Sequence, residues 1–286
     1  MEKDVINGHQ PINNINVYYE LYPNQSAEIT MVLLHGFLSS TFTYRHLIPL
    51  LKEKFQVLSL DLPPFGKSEK CHRYKYSYSN LADTVIQLTE YLGLKKMIFV
   101  GHSMGGQIVL NILHRRNELA EKAILICSSS YLKRSKLPLI LSSYIPYFHM
   151  FLKYWFARTG VKKNLQDTLF NHALINEEMI DGYLQPFLQN EIFKALTRMI
   201  RHREGDLPVE ILNQIKTPCL LIWGDHDKSM PLQVGQQLNQ DLANSELIVL
   251  KETGHAVPEE RPTEIYHHIQ SFLDRDKGTG SLSHYK

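Results

Sequence analysis

The amino-acid sequence predicts an α/β fold, a mostly parallel, doubly wound sheet with helices on both faces. Short, unbroken apolar runs such as ITMVLLHG (29–36) and KKMIFV (95–100) are typical of strands that are buried on both faces. These runs alternate with segments in which apolar residues recur at helical spacing, such as SNLADTVIQLTEYLG (79–93). This alternation favours a parallel sheet, because each parallel pair of strands needs a crossover connection, which is usually a helix.

The predicted elements follow one another along most of the chain. Strands are expected at 15–22, 29–36, 55–62, 96–101, 123–129, 217–224 and 246–252. Helices are expected near 44–51, 79–93, 232–242 and 262–274, and directly after residue 103. In the helix at 79–93 a serine or asparagine can cap the start, and Gly93 can end it. Residues 1–130 and 207–275 are therefore expected to form the two parts of one core.

Between residues 131 and 206 the alternation stops, and a helical insertion in the core is expected. No acidic residue occurs from 123 to 166, whereas basic residues do: Lys133, Arg134, Lys136, Lys153, Arg158, Lys162 and Lys163. Aromatic residues are interleaved with them: Tyr144, Tyr147, Phe148, Phe151, Tyr154, Trp155 and Phe156. We interpret the insertion as a lid that turns its aromatic side chains toward an apolar ligand and its cations toward solvent. Residues 276–286 are expected to form a disordered polar tail.

Association with a membrane surface is a second interpretation of the insertion. The run LPLILSSYIPYFHMFL (137–152) contains no Asp, Glu, Lys or Arg. It is shorter than the roughly 20 apolar residues that a membrane-spanning helix needs, and Pro146 interrupts it. A basic and aromatic segment can still lie on a lipid surface, so this interpretation stays open, although the lid is favoured.

Composition excludes several classes of function. The chain has 286 residues, 43% of them hydrophobic, and a formal net charge of +2, which fits one large soluble domain and does not indicate nucleic-acid binding. Cys71, Cys127 and Cys219 are scattered singly, so neither a disulfide framework nor a zinc site is expected. The first residues lack the apolar stretch of a signal peptide. We expect a cytoplasmic monomer or homodimer without a metal or cofactor.

A serine at the border of a predicted strand and a predicted helix is the candidate nucleophile. In GHSMGG (101–106), Ser103 stands between Gly101 and Gly105. A strand that turns at once into a helix forces the residue at the apex to positive φ, and only small residues fit two positions before and after it. This is the G-x-S-x-G pattern of a nucleophile elbow. Chance can produce so short a pattern, so the rest of the sequence must support it.

A histidine after the last predicted strand is the candidate base. A serine hydroxyl is a poor nucleophile until a base removes its proton. His255 lies in KETGHAVPEERP, between the last strand and the last helix. The carboxyl ends of parallel strands meet at one edge of the sheet, so His255 and Ser103 are expected at the same edge.

Two aspartates are candidates for the carboxylate that fixes the tautomer of the base. WGDHDKSMP (223–231) follows a predicted strand at that same edge and contains Asp225 and Asp227. Spacing alone does not choose between them. An Asp-His-Asp run can also suggest a metal site, but no further ligand at a suitable spacing supports one.

Five motifs together make the chain resemble the α/β-hydrolase superfamily and, within it, the lid-bearing serine esterases. They are LLHGF (33–37), DLPPFGKS (61–68), GHSMGG (101–106), WGDHDKSMP (223–231) and GHAVPEERP (254–262). The resemblance covers nearly all of residues 15–275 and implies a helical lid inserted after the sixth strand. It also implies that the acid is Asp227, which stands at the fourth position of G-x-x-D-x-x-x-P.

The resemblance further implies an oxyanion hole formed by the backbone N–H groups of Phe37 and Met104. Other motif residues would support the site without acting as bases: His35, Gly36, Gly101, His102 and Gly105. One position departs from the family pattern, because Pro64 stands where glycine is usual. Proline fixes φ and has no N–H, so the wall of the pocket near this loop is expected to differ.

The expected function is hydrolysis of a carboxylic ester of a small, largely apolar molecule through an acyl-enzyme on Ser103, with His255 as base and Asp227 as its orienting acid. Haloalkane dehalogenases and epoxide hydrolases also resemble the chain, but they attack through an aspartate at the elbow. Carbon–carbon bond hydrolases, acyltransferases and a ligand-sensing protein with slow turnover stay open as alternatives. The expected partner is a small-molecule ester; nucleic acid is not expected, and a membrane surface is less favoured.

Overall fold

The computed structural model describes residues 5–278, with side chains as far as residue 275. At its centre is a sheet of eight strands in the order β1-β2-β4-β3-β5-β6-β7-β8. The strands are β1 (Ile6–Ile12), β2 (Ile15–Tyr22), β3 (Thr30–Leu34), β4 (Gln56–Leu60), β5 (Met97–His102), β6 (Ala120–Ile126), β7 (Cys219–Gly224) and β8 (Ser245–Leu250). β2 pairs antiparallel with β1 and β4, and the other neighbouring strands pair parallel. The predicted mostly parallel α/β sheet is confirmed.

Helices flank this sheet and connect its strands. They are α1 (Ile48–Leu51), α2 (Tyr78–Tyr91), α3 (Met104–Arg115), α4 (Leu137–Ser142), α5 (Phe148–Thr159), α6 (Val161–Thr168), α7 (Glu177–Leu184), α8 (Glu191–His202), α9 (Val209–Leu212), α10 (Leu232–Asp241), α11 (Val257–Glu260) and α12 (Pro262–Gly278). Among the helices of the described chain, none combines the length and the apolar character that crossing a bilayer requires.

The central strands are buried on both faces, as their unbroken apolar runs predict. Every residue of β3, β5 and β7 is buried. Parallel pairing brings the ends of these strands together: Leu34 is in register with Gly101, and Gly224 with Leu250. The loops that follow β3, β5, β7 and β8 therefore gather at one edge of the sheet, where ligands bind in open α/β sheets.

Strand β1 was missed by the sequence prediction. It forms an edge hairpin with β2, in which Ile12 pairs with Ile15 across a two-residue turn. Both turn residues, Asn13 and Asn14, have positive φ, 51° and 62°. An Asn-Asn pair between two extended segments is a hairpin signal that the sequence does carry. The strand itself lacks a clear apolar pattern. Isoleucine occurs only at its two ends, Ile6 and Ile12, and Gly8 and Pro11 lie between them.

Residues 131–206, between β6 and β7, form the five helices α4 to α8. Helix α8 buries its apolar face in the main core, and α4 and α5 pack against α8 from outside. The expectation that the aromatic residues turn toward a ligand is wrong for Tyr144, Tyr147, Phe151 and Tyr154, because more than half of each is exposed. Of the predicted disordered tail, residues 276–278 continue α12, and residues 279–286 lie outside the described residues.

Candidate active site

Ser103 sits at the apex of the turn between β5 and α3, with φ 52° and ψ −116°. The glycines around it are required by close backbone contacts. A Cβ on Gly101 would lie 2.5 Å from the carbonyl oxygen of Gly105, and a Cβ on Gly105 would lie closer still to that of Leu34. Real Cβ atoms do not approach oxygen so closely, so only glycine fits at either position. The strand-turn-helix geometry that the sequence predicts around Ser103 is present.

Asp227, and not Asp225, contacts His255. The Asp227 Oδ2 atom lies 2.7 Å from His255 Nδ1, and both side chains are buried. The second carboxylate oxygen accepts the backbone N–H groups of Ser229 and Met230, each at 2.8 Å. Burial alone would raise the pKa of Asp227, but the hydrogen bond to His255 and the backbone donors hold it below its ordinary value. An ionised Asp227 therefore keeps the proton of His255 on Nδ1.

Asp225 lies in the same loop as Asp227 but has other partners. Its carboxylate lies 2.6 Å from His226 Nδ1 and 3.8 Å from Lys251 Nζ. It also accepts the backbone N–H of Thr253 at 3.3 Å. These contacts fasten the loop after β7 to the loop after β8, and none of them reaches His255.

Ser103 and His255 line one small cavity of about 60 Å³. Gly36 and Phe37, from the loop after β3, form part of its wall. A Cβ on Gly36 would lie 3.2 Å from the Cβ of Ser103, so the backbone of this loop passes directly beside the serine. Three loops from separate strand ends thus meet around one space at the carboxyl edge of the sheet.

Of the two predicted oxyanion donors, Met104 follows Ser103 in the chain and Phe37 lines the same cavity as Ser103. Met104 is the first residue of α3, a position where the backbone N–H has no acceptor within its own helix. Phe37 follows Gly36, and its half-exposed ring packs edge-on against Phe65 with centroids 5.4 Å apart. Pro64, the departure from the family pattern, is buried just before Phe65. Its loop therefore touches the cavity wall indirectly, since Phe65 packs against Phe37, which lines the cavity.

His35 and His102 hold neighbouring loops by hydrogen bonds. His35 Nε2 accepts the N–H of Leu62 at 2.8 Å, so its proton is on Nδ1, which donates to the Gly36 carbonyl at 2.7 Å. His102 Nε2 donates to the carbonyl of His255 at 2.9 Å. Burial lowers the pKa of His35 to about 4, and burial with the neighbouring His255 lowers that of His102 to about 3. Both rings are therefore neutral near pH 7.

These pKa shifts predict that the free energy of unfolding falls in acid, and that the single substitution His102→Gln reduces this fall. The unfolded chain protonates His102 below its ordinary pKa of 6.5, whereas the folded chain does so only near 3. The contribution of neutral His102 to the free energy of unfolding is therefore fully present above pH 6.5. It is lost as the pH falls toward 3, by about 1.4 kcal/mol per pH unit for one proton. His102→Gln keeps a donor for the His255 carbonyl, and we expect it to lower this slope by that amount.

Urea unfolding between pH 4.5 and 6, followed by circular dichroism, measures the slope. Exposed His46→Gln is the matched control, because it removes a histidine at the surface. An equal pH dependence in native protein and His102→Gln would contradict the prediction.

Comparison with known proteins decides the family. A protein-family model described as alpha/beta hydrolase fold matches residues 29–262 of the sequence. The chain belongs to this family. An uncharacterized hydrolase of Bacillus subtilis (strain 168), YugF, is 51% identical over 262 residues, which span 92% of this chain and 96% of the relative.

Solved structures share the fold of this alpha/beta hydrolase. A thermophilic esterase from Thermogutta terrifontis superimposes with a TM-score of 0.76 at 18% identity, covering 94% of this chain and 98% of that one. A meta-cleavage product hydrolase from Pseudomonas fluorescens IP01 gives the same TM-score, identity and coverage. At this identity the likeness shows the fold alone, so the two structures do not choose between reactions.

Sequence reasoning missed the residues by which the insertion of this hydrolase holds the His255 loop. The N–H of His255 donates to the carbonyl of Thr168, at the end of α6, at 2.7 Å. Glu260 accepts the N–H of Gly254 through one oxygen and those of Phe170 and Asn171 through the other, at 2.8 to 3.0 Å. Glu260 lies in the GHAVPEERP motif, which was the only signal for it.

A second missed cluster joins α7 to the core beside the cavity. The hydroxyl of Tyr183 lies 2.9 Å from Thr43 Oγ1 and 2.8 Å from Glu259 Oε1. Arg45 donates to the same Glu259 oxygen at 2.5 Å. Burial raises the pKa of Tyr183, so its hydroxyl stays protonated as a donor. These partners are 76 and 140 residues away from Tyr183 in the chain, and no sequence pattern indicates the cluster.

Cys127, Asp227 and His255 are the one group in the described chain whose ligand atoms lie close enough for a metal, within 4.8 Å of one another. Their chemistry does not fit one. A metal-bound cysteine must be a thiolate, but burial raises the pKa of Cys127 well above its ordinary value. His255 Nδ1, the nitrogen nearest the carboxylate, is already hydrogen-bonded to Asp227.

Proposed function

We propose that this protein is a serine hydrolase that cleaves the carboxylic ester of a small, largely apolar molecule through an acyl-enzyme. The observation that carries the proposal is the buried His255–Asp227 pair, whose histidine lines one cavity together with a serine at a positive-φ elbow. These groups supply a nucleophile, a base and an acid that fixes the base. A serine at the elbow does not support the reaction of epoxide hydrolases, which attack through an aspartate.

In the first half-reaction, Ser103 Oγ attacks the ester carbonyl carbon while His255 Nε2 takes its proton. The carbonyl oxygen becomes an oxyanion, which the N–H groups of Phe37 and Met104 bind. When the tetrahedral intermediate collapses, the C–O bond to the alcohol breaks, and the alcohol leaves with the proton from His255. Each oxyanion donor contributes about 3 kcal/mol to the transition state.

In the second half-reaction, water attacks the acyl group on Ser103 and gives its proton to His255. The carboxylic acid leaves, and the proton returns to the serine oxygen. Throughout, Asp227 stays ionised and stabilises the imidazolium that forms on His255. The substrate therefore yields one acid and one alcohol, and the enzyme is restored.

A larger groove beside the catalytic cavity supports an apolar substrate. It measures about 430 Å³ and shares Leu38, Asn164 and Tyr183 with the cavity of Ser103. Aromatic and aliphatic side chains form most of its wall: Trp155, Phe156, Val161, Leu184, Phe187 and Phe193. In this proposal residues 131–206 are the lid over the groove, and residues 1–130 and 207–275 are the core that carries the catalytic groups.

A panel of p-nitrophenyl esters of rising acyl length tests the proposal. Each methylene that enters an apolar groove contributes about 0.8 kcal/mol, so we expect kcat/KM to rise about three- to fourfold per carbon until the groove is filled. Phe187→Ala removes part of the groove wall and should flatten this rise. The adjacent Leu188→Ala is the control, since Leu188 is 62% exposed and does not line the groove.

Absence of turnover on every ester of the panel would contradict the proposal. A carbon–carbon bond hydrolase would then be tested with a vinylogous diketone substrate. Turnover that is independent of acyl length would still support ester hydrolysis, but it would indicate that the groove binds the alcohol portion of the ester. Esters of rising alcohol length test that outcome.

A further inference from the structure

The surface of α4, α5 and the turn between them carries an unusual share of exposed apolar side chains. Ten of the nineteen large hydrophobic residues that are exposed in the described chain lie here. We call them the α4–α5 face: Leu137, Leu139, Leu141, Tyr144, Ile145, Tyr147, Met150, Phe151, Tyr154 and Trp155. A concentration of large, exposed apolar side chains on one segment of a globular protein indicates a partner that covers them.

Helix α5 is apolar on two opposite sides. Phe148, Leu152 and Phe156 recur every four residues and are partly buried, the latter two against the main core. Tyr147, Phe151 and Tyr154 recur at spacings of four and three on the other side, where 59 to 73% of each is exposed. Among the residues that the structure describes, other elements pack only on the first side, so this packing does not account for the second.

The segment that carries the α4–α5 face is basic. Seven cations and no acid occur between residues 123 and 166. Lys133, Lys136 and Lys162 are exposed, and the guanidinium of Arg158 lies 5.2 Å from the ring centre of Tyr154. Tyrosine and tryptophan side chains beside lysine and arginine are typical of protein surfaces at the boundary of a bilayer. The rings enter the headgroup layer, and the cations stay at its level.

We propose that the α4–α5 face binds the surface of a lipid bilayer that contains anionic lipid. The proposal goes beyond the proposed catalytic function and does not depend on it. A second copy of the chain fits this face less well. A symmetric dimer sets the same surface against itself, which would bring two sets of cations together without an acidic residue of the segment to pair them.

The position of the groove agrees with this partner. Lys153 and Trp155 of α5 line the groove that joins the cavity of Ser103. A bilayer that contacts the outer side of α5 therefore lies next to the groove entrance. In the context of the proposed esterase, an apolar ester dissolved in the bilayer could enter the groove without crossing water.

Co-sedimentation of the full chain with vesicles tests the binding. Phosphatidylcholine vesicles with about one-third phosphatidylglycerol are compared with pure phosphatidylcholine, at low and high salt. We expect binding to the anionic vesicles that falls steeply between about 0.1 M and 1 M salt, where the screening length shrinks from about 10 to 3 Å. Binding to pure phosphatidylcholine should be at least tenfold weaker.

Two sets of substitutions separate charge from apolar contact. Lys133→Gln, Lys136→Gln and Lys162→Gln together should lower the partition coefficient about 100-fold, at roughly fivefold per cation. Tyr147→Ser, Phe151→Ser and Tyr154→Ser together should lower it at least tenfold. The controls alter exposed residues elsewhere, namely Lys54→Gln, Lys95→Gln and Lys216→Gln for charge and Tyr91→Ser for an aromatic ring.

Thermal unfolding and hydrolysis of a water-soluble short ester confirm that each variant is folded, since none of the changed residues lines the groove or the catalytic cavity. The proposal is overturned if native protein does not bind the anionic vesicles at low salt, or if control and face variants bind equally. It is also overturned if the face variants change only the oligomeric state in analytical ultracentrifugation, which would assign the face to a second copy. Loss of ester hydrolysis without loss of vesicle binding would contradict the catalytic proposal alone.

Discussion

Replacing Ser103 with alanine is expected to lower kcat for ester hydrolysis by a factor on the order of 10⁶, because it removes the nucleophile of the proposed acyl-enzyme route. Covalent labelling by a fluorophosphonate should disappear with it. The fold should survive. The backbone of Ser103 makes the structural contacts, with its carbonyl accepting the N–H groups of Gly106 and Ser129 at 2.9 Å, and alanine keeps these bonds.

Ser39→Ala is the matched control, since Ser39 lines the same cavity. This variant should keep both labelling and turnover, and thermal unfolding should show that both variants are folded. A Ser103→Ala protein that is folded and still labelled would assign the nucleophile to another residue.

The parts of this site that the sequence could predict are those that depend on neighbours in the chain. The tight turn at the elbow leaves no room for a side chain two residues before and after Ser103, so Gly101 and Gly105 indicate the turn directly in the sequence. The unbroken apolar runs likewise indicate central strands, and loops at the carboxyl ends of parallel strands must share an edge. The placement of His255 and Asp227 at the edge of Ser103 follows from that rule.

The choice between the two aspartates shows where such local reasoning ends. Asp225 and Asp227 lie in one loop, and both follow the same strand. Their partners differ because of how the loop after β7 turns, with the Asp227 carboxylate held by the N–H groups of Ser229 and Met230. Spacing does not contain this information, and only the family resemblance selected Asp227.

The faces of α5 could not be predicted for a different reason. A helix shows its buried side when one side is apolar and the other polar. Both sides of α5 carry large side chains that are mostly aromatic, namely Phe148, Leu152 and Phe156 on the packed side and Tyr147, Phe151 and Tyr154 on the exposed side. Only the contact with α8 distinguishes them, so the sequence suggested that aromatic residues turn inward when many do not.

Replacing Asp227 with asparagine is expected to lower kcat by about 10⁴, the loss seen in a serine protease when its triad acid becomes an amide and the histidine takes the wrong tautomer. The surroundings predict how the new amide lies. The oxygen stays with the N–H groups of Ser229 and Met230, so the NH₂ group faces His255 Nδ1. His255 Nδ1 must then accept, which moves its proton to Nε2 and removes the proton acceptor that the proposed mechanism requires at that nitrogen.

Asp225→Asn is the matched control, because it makes the same chemical change two residues away in the same loop. Asp225 contacts His226, Lys251 and the N–H of Thr253, and it does not contact His255. We expect its kcat to change less than about tenfold, since the ion pair it loses is partly exposed and the loop keeps its other bonds.

Steady-state kinetics with one p-nitrophenyl ester, together with the rate of fluorophosphonate labelling, measures both variants. Asp227→Asn should still be labelled, but more slowly by a factor similar to its loss in kcat, because Ser103 is present and only its base is impaired. This separates it from Ser103→Ala, which is not labelled at all. If Asp225→Asn has the larger loss while both variants are folded, Asp225 is the acid, and the hydrogen bond between Asp227 and His255 serves only to hold the two loops together.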